Sequence, residues 1–237
     1  MEVDPDAQAP KNYRPLPDYE ALVSRWLSNY NRSNYDSGLS ASVLRNTHSL
    51  IERPFGPDTL LPKVLEVGAG TLAHLPFVRH RFHKYIASDA DQLVLDSVKD
   101  AQLPEGVELL RLDGNSLPFE DNSFDRLIAT HVLEHVPSPH LALQEWVRVL
   151  KPGGVLSLIL PCDPGFAWRL GRHLGPRKQA ERAGLPYDYY MAREHINSIF
   201  NLHQILSFHF PKRQVTWWPT RLPFPDVNLI YAGNFYV

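Results

Sequence analysis

Val64-Leu65-Glu66-Val67-Gly68-Ala69-Gly70-Thr71 is a short apolar run that ends in Gly-x-Gly. A buried strand running straight into two glycines makes a tight turn whose bare backbone lets a ligand approach. A helix expected over 72–81 would then offer the free N–H groups of its first turn to the same ligand. Downstream the unit repeats. Residues 85–88, 107–112, 124–130 and 155–160 read as strands, and 93–103 and 140–150 as helices. Strands and helices alternating at this spacing form right-handed crossovers and a parallel sheet.

Past Pro161 the pattern breaks. Residues 162–194 carry Arg169, Arg172, His173, Arg177, Lys178, Arg182 and Arg193 with few acids, which reads as an insertion over the carboxyl edge of the sheet. A helix over 196–208 and two closing strands, 214–218 and 228–236, follow. The expected architecture is a Rossmann-like, doubly wound α/β sheet of seven strands, mostly parallel, with an antiparallel strand in the closing hairpin. Upstream, Leu22, Trp26, Leu27 and Tyr30 recur at helical spacing, and a second helix ends before Pro54-Phe55-Gly56-Pro57. Four prolines within residues 1–18 mark a flexible arm. The organisation is therefore an arm (1–18) and a single domain (19–237). The domain comprises a helical cap (19–58), a cofactor-binding core (59–161), a substrate-facing insertion (162–194), and a C-terminal helix with closing strands (195–237).

At 237 residues and 43% hydrophobic the chain buries a sizeable core, which excludes global disorder. Twenty-four Lys and Arg against 26 Asp and Glu give a net charge of -2, so nothing points to nucleic acid. One cysteine, Cys162, excludes an intrachain disulfide and a Cys-rich zinc site and fits a cytoplasmic protein. The N-terminus lacks the apolar stretch of a secretory signal. The apolar run 155–160 is far too short to span a bilayer, which leaves only peripheral membrane contact.

Asp89 ends the second strand, 19 residues after Gly70, and suits the two hydroxyls of a ribose. Gly68-x-Gly70-x-x-Ala73 also meets the looser dinucleotide fingerprint, so a nicotinamide-dependent oxidoreductase is the competing enzyme reading. Glu66 argues against it, since an acid two residues before the first glycine would repel a diphosphate and suits a cationic ligand. Asp113-Gly114 after the third strand suits an adenine amino group.

Five segments then fall in order: Leu65-Glu66-Val67-Gly68-Ala69-Gly70, Leu112 to Phe119, Phe124-Asp125, Leu133-Glu134-His135-Val136, and Arg148-Val149-Leu150-Lys151-Pro152-Gly153-Gly154. Together they resemble the class I S-adenosylmethionine-dependent methyltransferases of the small-molecule type, over about residues 60–161. The resemblance implies S-adenosylmethionine as cofactor and S-adenosylhomocysteine as product. It places Glu66, Gly68, Ala69 and Gly70 against the methionine part, Asp89 on the ribose, Ala90 on the adenine face, and Asp113 and Gly114 on its edge. Thr130 and His131 would lie beside the sulfonium. The family often has a third glycine where this chain has Leu72. A relative that has lost catalysis and serves as a partner subunit is the non-enzyme alternative.

A hydroxyl acceptor needs a base, and His is the default near neutral pH. His195, in Arg193-Glu194-His195 where the insertion re-enters the core, is the first candidate and His131 the second. Arg169, Arg172, Tyr189, Tyr190 and Arg193 are the candidate acceptor contacts, suited to a small or glycan-like acceptor bearing phosphate or carboxylate. His135 reads as structural. His131-x-x-Glu134-His135 also spells the inverted zincin motif, but Pro137 denies it a helix, so no metal ligand is assigned. The expected reaction is O-methylation; the oligomeric state is not legible.

Overall fold

The structure, a computed structural model, describes residues 17, 18, 21, 22, 25 and 39–237, with side chains at those isolated positions and from Asn46 onward. Most of the expected arm lies outside the described residues, as do Tyr19, Trp26, Tyr30 and Tyr35 of the expected cap.

Seven strands form one sheet: β1 (Lys63–Val67), β2 (Lys84–Asp89), β3 (Val107–Arg111), β4 (Phe124–Thr130), β5 (Leu150–Pro161), β6 (Arg213–Trp218) and β7 (Ile230–Tyr236). Their order is β3-β2-β1-β4-β5-β7-β6. β1 to β5 pair in parallel, and β7 runs antiparallel to both β5 and β6, as the closing hairpin led one to expect. Strand order reverses between β1 and β4, so the carboxyl ends of those strands frame the crevice where such sheets take ligands.

Alternation along the strands loads both faces. Leu65, Val67, Leu127, Ala129, Leu156 and Leu158 pack with Ala142, Leu143 and Trp146 of α3 (Pro139–Val149) and with Ile199, Leu202 and Leu206 of α7 (Ile199–His209). Val64, Tyr85, Ala87, Ile128, Ile159 and Ala232 pack with Leu50 and Ile51 of α1 (Leu39–Glu52). β1 is central, which is why Val64 to Val67 is buried without a polar face. Between β2 and β3 lies α2 (Gln92–Val98), whose N-cap Asp91 accepts from Leu93 N–H at 2.9 Å.

One expected element is absent. Residues 72–81 form a single 3-10 turn, Leu75–Phe77, not a helix. Leu72 takes a left-handed φ of 63°, and Pro76 withholds a backbone donor two residues past His74, so no α-helical ladder starts there. The left-handed Leu72 stands where the resembling family often has glycine. The insertion is helical: α4 (Phe166–Leu174), α5 (Pro176–Arg182) and α6 (Tyr187–Glu194). Ala180, Leu185, Tyr187 and Met191 gather around Leu22 as a separate small core, and Arg25 Nη2 donates to Ala183 O at 3.0 Å. Trp217 turns into the core and Trp218 is half-buried, as strand alternation requires.

A charged layer lies between the sheet and α1. Fully buried Arg126 pairs through Nη1 with Glu52 Oε1 at 2.6 Å and donates from Nε to Ser157 Oγ at 2.9 Å. Arg126 Nη2 and Asn234 Nδ2 both reach Ile51 O, a last-turn carbonyl of α1 without a helical partner. His74 Nε2 donates to Glu52 Oε1 at 3.0 Å, and its Nδ1 lies 3.2 Å from His48 Nδ1. Burial opposes ionisation of Glu52, but the His74 hydrogen bond and the Arg126 charge outweigh it and bring its pKa down to about 2. Burial, with the neighbouring His74 and His131, lowers His48 to about 2; burial and Arg126 lower His80 to about 4.

All three shifts have one sign. Unfolded, these histidines take up protons below their ordinary pKa and Glu52 below its own, while the folded groups resist. Stability is therefore full above about pH 6.5 and declines as pH falls from there toward the folded values, by about 1.4 kcal/mol per pH unit for each proton taken up. Glu66, whose burial raises its pKa, opposes this by at most one proton. Urea midpoints should drop between pH 7 and pH 5, and His48→Asn should make that drop shallower; a midpoint that holds level to pH 5 would contradict the assignment.

Candidate active site

The strand registers bring the predicted cofactor residues to one edge. Val67 pairs with Ser88 and with Ala129, and Asp89 with Arg111, so the Gly68 turn, Asp89, the 113–114 turn and Thr130-His131 follow neighbouring strand ends. The backbone is left-handed at Gly68 (φ 68°), Gly70 (φ 55°), Leu72 and His131 (φ 58°), a concentration of unusual conformation around one crevice. Asp89 ties this edge together: Oδ2 accepts from Gly70 N–H and Oδ1 from Asp91 N–H, both at 3.0 Å. Ala69 N–H donates to Ser88 O at 2.8 Å. Asp113 Oδ1 accepts from Asn115 N–H and Nδ2–H at 2.9 Å, while Gly114 O accepts from Trp146 Nε1 at 2.8 Å. Ala90 is exposed, and its carbonyl accepts from Arg111 Nε at 3.1 Å.

Glu66 decides what this edge suits. It is fully buried; Oε2 accepts the Tyr85 hydroxyl at 2.5 Å, and Oε1 is buried with no partner. A buried carboxylate oxygen left unpaired is costly, and a cationic ligand satisfies it. A Cβ built on Gly70 meets no atom within 4 Å, so the turn borders open space. These features fit the ammonium end of S-adenosylmethionine. They do not fit a dinucleotide, because no helix N-terminus follows the glycines to hold its diphosphate.

Burial raises the pKa of Glu66 against the opposing influence of His74, Tyr85 and Arg126. A cationic ligand needs the ionised form, so binding must release a proton wherever the free protein holds it. Affinity for S-adenosylhomocysteine should weaken as pH falls through this raised pKa. Glu66→Gln should weaken it about 10- to 100-fold and abolish the pH dependence. Calorimetry in two buffers of different ionisation enthalpy reads the released proton; a Gln variant that still binds like the parent would refute the role.

A second group of side chains lies where the insertion returns to the core. His195, expected as the base, donates from Nδ1 to Asp163 Oδ2 at 2.8 Å, and Arg172 Nη1 meets the same oxygen at 2.9 Å. Burial works against ionised Asp163, but the His195 hydrogen bond and the Arg172 charge hold its pKa below the usual range. With Nδ1–H committed, His195 keeps a lone pair on Nε2. The Leu133–His135 3-10 turn after β4 brings Glu134 and His135 alongside. His135 Nδ1 donates to Glu194 O at 2.9 Å, and its ring meets the edge of His195 with centroids 4.9 Å apart. His135 thus packs within this group and ties the turn to the end of the insertion. His131 Nδ1 stands 3.5 Å from Glu134 Oε1, and its Nε2 is buried without a partner. Asn197 locks the two segments together, its Nδ2 donating to Leu133 O and Val136 O at 3.0 and 2.6 Å. Asp163 and Asn197 escape a reading of the sequence, and Glu134 enters it only as part of motifs, because only the fold joins segments 131–135, 163 and 194–197.

The predicted acceptor contacts divide. Arg169 and Arg172 line a cleft of about 320 Å³ with Phe166, Arg177 and Tyr187, whereas Tyr189, Tyr190 and Arg193 do not line it. The cationic run is partly neutralised: Arg172 by Asp163, Arg177 by Glu181 and Asp188.

Comparison with known proteins agrees with this geometry. Residues 65–158 match the methyltransferase domain family. An uncharacterised methyltransferase of Mycobacterium sp. (strain JLS) is 32% identical over 177 residues, covering 68% of this chain and 69% of its own. A demethylmenaquinone methyltransferase of Porphyromonas gingivalis is 27% identical over 174 residues, covering 70% and 68%. The fold matches the crystal structure of a SAM-dependent methyltransferase from Thermotoga maritima with a TM-score of 0.55 at 17% identity, over 92% of this chain and 96% of that one. No helix among the described residues is long and apolar enough to cross a membrane. A parallel sheet with a glycine turn over a buried, half-satisfied carboxylate, and relatives that carry the same domain, make this chain a member of the class I S-adenosylmethionine-dependent methyltransferases.

Proposed function

We propose that the chain methylates an oxygen of a small hydroxylated acceptor in the cytoplasm, with His195 activating the acceptor hydroxyl. Glu66 and the turn Gly68, Ala69 and Gly70 hold the methionine end of the cofactor. Asp89 takes the ribose, Ala90, Asp113 and Gly114 the adenine, and Thr130 and His131 flank the methyl group. Bound S-adenosylmethionine supplies a methyl on a cationic sulfur, whose S–C electron pair returns to sulfur as the acceptor oxygen forms the new bond.

The observation that carries the reading is the Asp163–His195 contact. It fixes the imidazole with Nδ1 protonated and Nε2 free to accept a proton, beside the turn that follows β4. Arg172 keeps Asp163 ionised, so charge developing on His195 is compensated. Arg169 and the aromatic side chains of the neighbouring cleft offer a surface for an acidic or ring-bearing acceptor. The quinone named for the Porphyromonas relative supports an acceptor of small, ring-bearing type. The test is product analysis after incubation with S-adenosylmethionine and three probes: a prenylated hydroquinone, a catechol and a hydroxylated sugar acid. The expected product carries the methyl on oxygen, in equal amount to S-adenosylhomocysteine; methyl recovered on carbon or nitrogen overturns the assignment.

A further inference from the structure

The geometry points to a divalent-cation site made by Glu134, His135 and His195, which binds the acceptor through its hydroxyl oxygens. The inference rests on the preceding reading and specifies how the acceptor is held. One ligand atom from each residue lies within 4.8 Å of the others. His135 Nε2 is 3.9 Å from Glu134 Oε1. Two bonds of about 2.1 Å to a shared cation span up to about 4.2 Å, so small side-chain rotations close the set.

Three further features fit a cation. First, each imidazole is held in the tautomer that a metal needs. His135 gives its Nδ1–H to Glu194 O and His195 gives its own to Asp163, so both keep Nε2 lone pairs. A carboxylate or carbonyl behind a histidine is the usual support of a metal ligand. Second, Glu134 is 2% exposed, and its Oε2 is buried without a hydrogen-bond partner. The ring nitrogens nearest Oε1, those of His131 and His135, stand at 3.5 and 3.9 Å from this buried charge. Such charges are paired or coordinate metals. Third, Arg172, the neighbouring fixed cation, is turned onto Asp163 and does not neutralise Glu134. Two imidazoles and one carboxylate suit a first-row divalent ion such as Zn²⁺, Co²⁺ or Mn²⁺.

Three protein ligands leave positions open for the acceptor, and two adjacent oxygens, as in a catechol or a vicinal diol, fill them best. The bound hydroxyl forms an O–metal bond, its O–H bond breaks, and the proton leaves to solvent. His195 then serves as ligand, and the cation takes over the activation that Nε2 performs in the metal-free protein. No oxidant or reductant is needed.

The experiment starts from the full chain dialysed against chelator and titrated with Zn²⁺ by calorimetry and with Co²⁺ by visible absorption. One equivalent should bind at micromolar concentration or below. His135→Ala, a partly exposed position that should fold, and Glu134→Gln should each weaken binding at least tenfold while leaving S-adenosylhomocysteine affinity within twofold. Catechol should perturb the Co²⁺ spectrum. No binding below millimolar Zn²⁺, or binding that His135→Ala leaves intact, overturns the site. If stripped protein turns over as fast as cation-loaded protein while His195→Ala does not, the cation is rejected and the base reading stands. If His195→Ala is also active, both fall.

Discussion

Replacing His195 with alanine should lower turnover by about 10²- to 10⁴-fold, the range a positioned proton acceptor supplies, and leave S-adenosylhomocysteine affinity within twofold. The split follows from place. His195 stands beyond β5 with Asp163 and Arg172, while the crevice residues Glu66, Gly70 and Asp89 lie on the ends of β1 and β2. Asp163→Asn is the sharper probe. The amide keeps the shape of the carboxylate and, because Arg172 donates to the same atom, still presents an oxygen to Nδ1, so the tautomer stays and only the negative charge that compensates a protonated His195 is lost. Turnover should fall at least tenfold with a fold and a cofactor affinity like the parent's. His131→Ala, by contrast, should reduce cofactor affinity as well, since His131 follows β4 directly into the crevice and donates its backbone N–H to Ile159 O at 2.8 Å. Single-turnover rates and calorimetry on the three variants separate the roles. A His195→Ala enzyme retaining a third of parental turnover would dismiss the assignment.

The sheet was legible because burial on both faces writes itself as uninterrupted apolar runs, as in Leu127-Ile128-Ala129 and Leu156 to Leu160. Strand ends in such a sheet are fixed by topology, so Gly68, Asp89, Asp113 and Thr130 could be placed on one edge from the sequence. The 72–81 segment was misread because apolar spacing there resembles a helix, while the left-handed Leu72 and the constraint at Pro76 are backbone facts that spacing does not carry. Around the insertion the sequence offered His195, Arg169 and Arg172 as candidates but not the contacts among them. The residues grouped with His195 come from separated stretches of chain, His135, Asp163 and Arg172, and Glu134-His135 in isolation reads as a turn. The basic run 169–193 promised an anion site, yet Asp163 engages Arg172 and Glu181 and Asp188 engage Arg177 within the fold. Charge in sequence says nothing of which acids fold back onto it.

Gly68→Ala should cost the protein its cofactor and much of its stability, and the reason links the two halves of the site. Gly68 sits at φ 68°, where an L side chain is disfavoured by about 1–2 kcal/mol. A Cβ there would lie 2.4 Å from Val132 Cγ2, closer than real contacts allow. Val132 packs against the core between His131 and the Leu133–His135 turn. It cannot retreat without moving both, and overpacking of this kind costs about 1–3 kcal/mol more. Affinity for S-adenosylhomocysteine should fall at least 100-fold and the melting temperature by several degrees. Gly70→Ala separates strain from overlap. Its φ of 55° carries a similar backbone penalty, but the added methyl meets no protein atom and enters the open crevice. It should abolish cofactor binding with a smaller loss of stability. Adding Val132→Ala to Gly68→Ala removes the overlap and leaves only the backbone strain. The double variant should therefore recover part of the lost melting temperature, a coupling that a thermodynamic cycle measures directly. If the two substitutions simply add, the contact between glycine turn and acceptor-side turn does not govern stability, and cofactor and acceptor sites are coupled by other means.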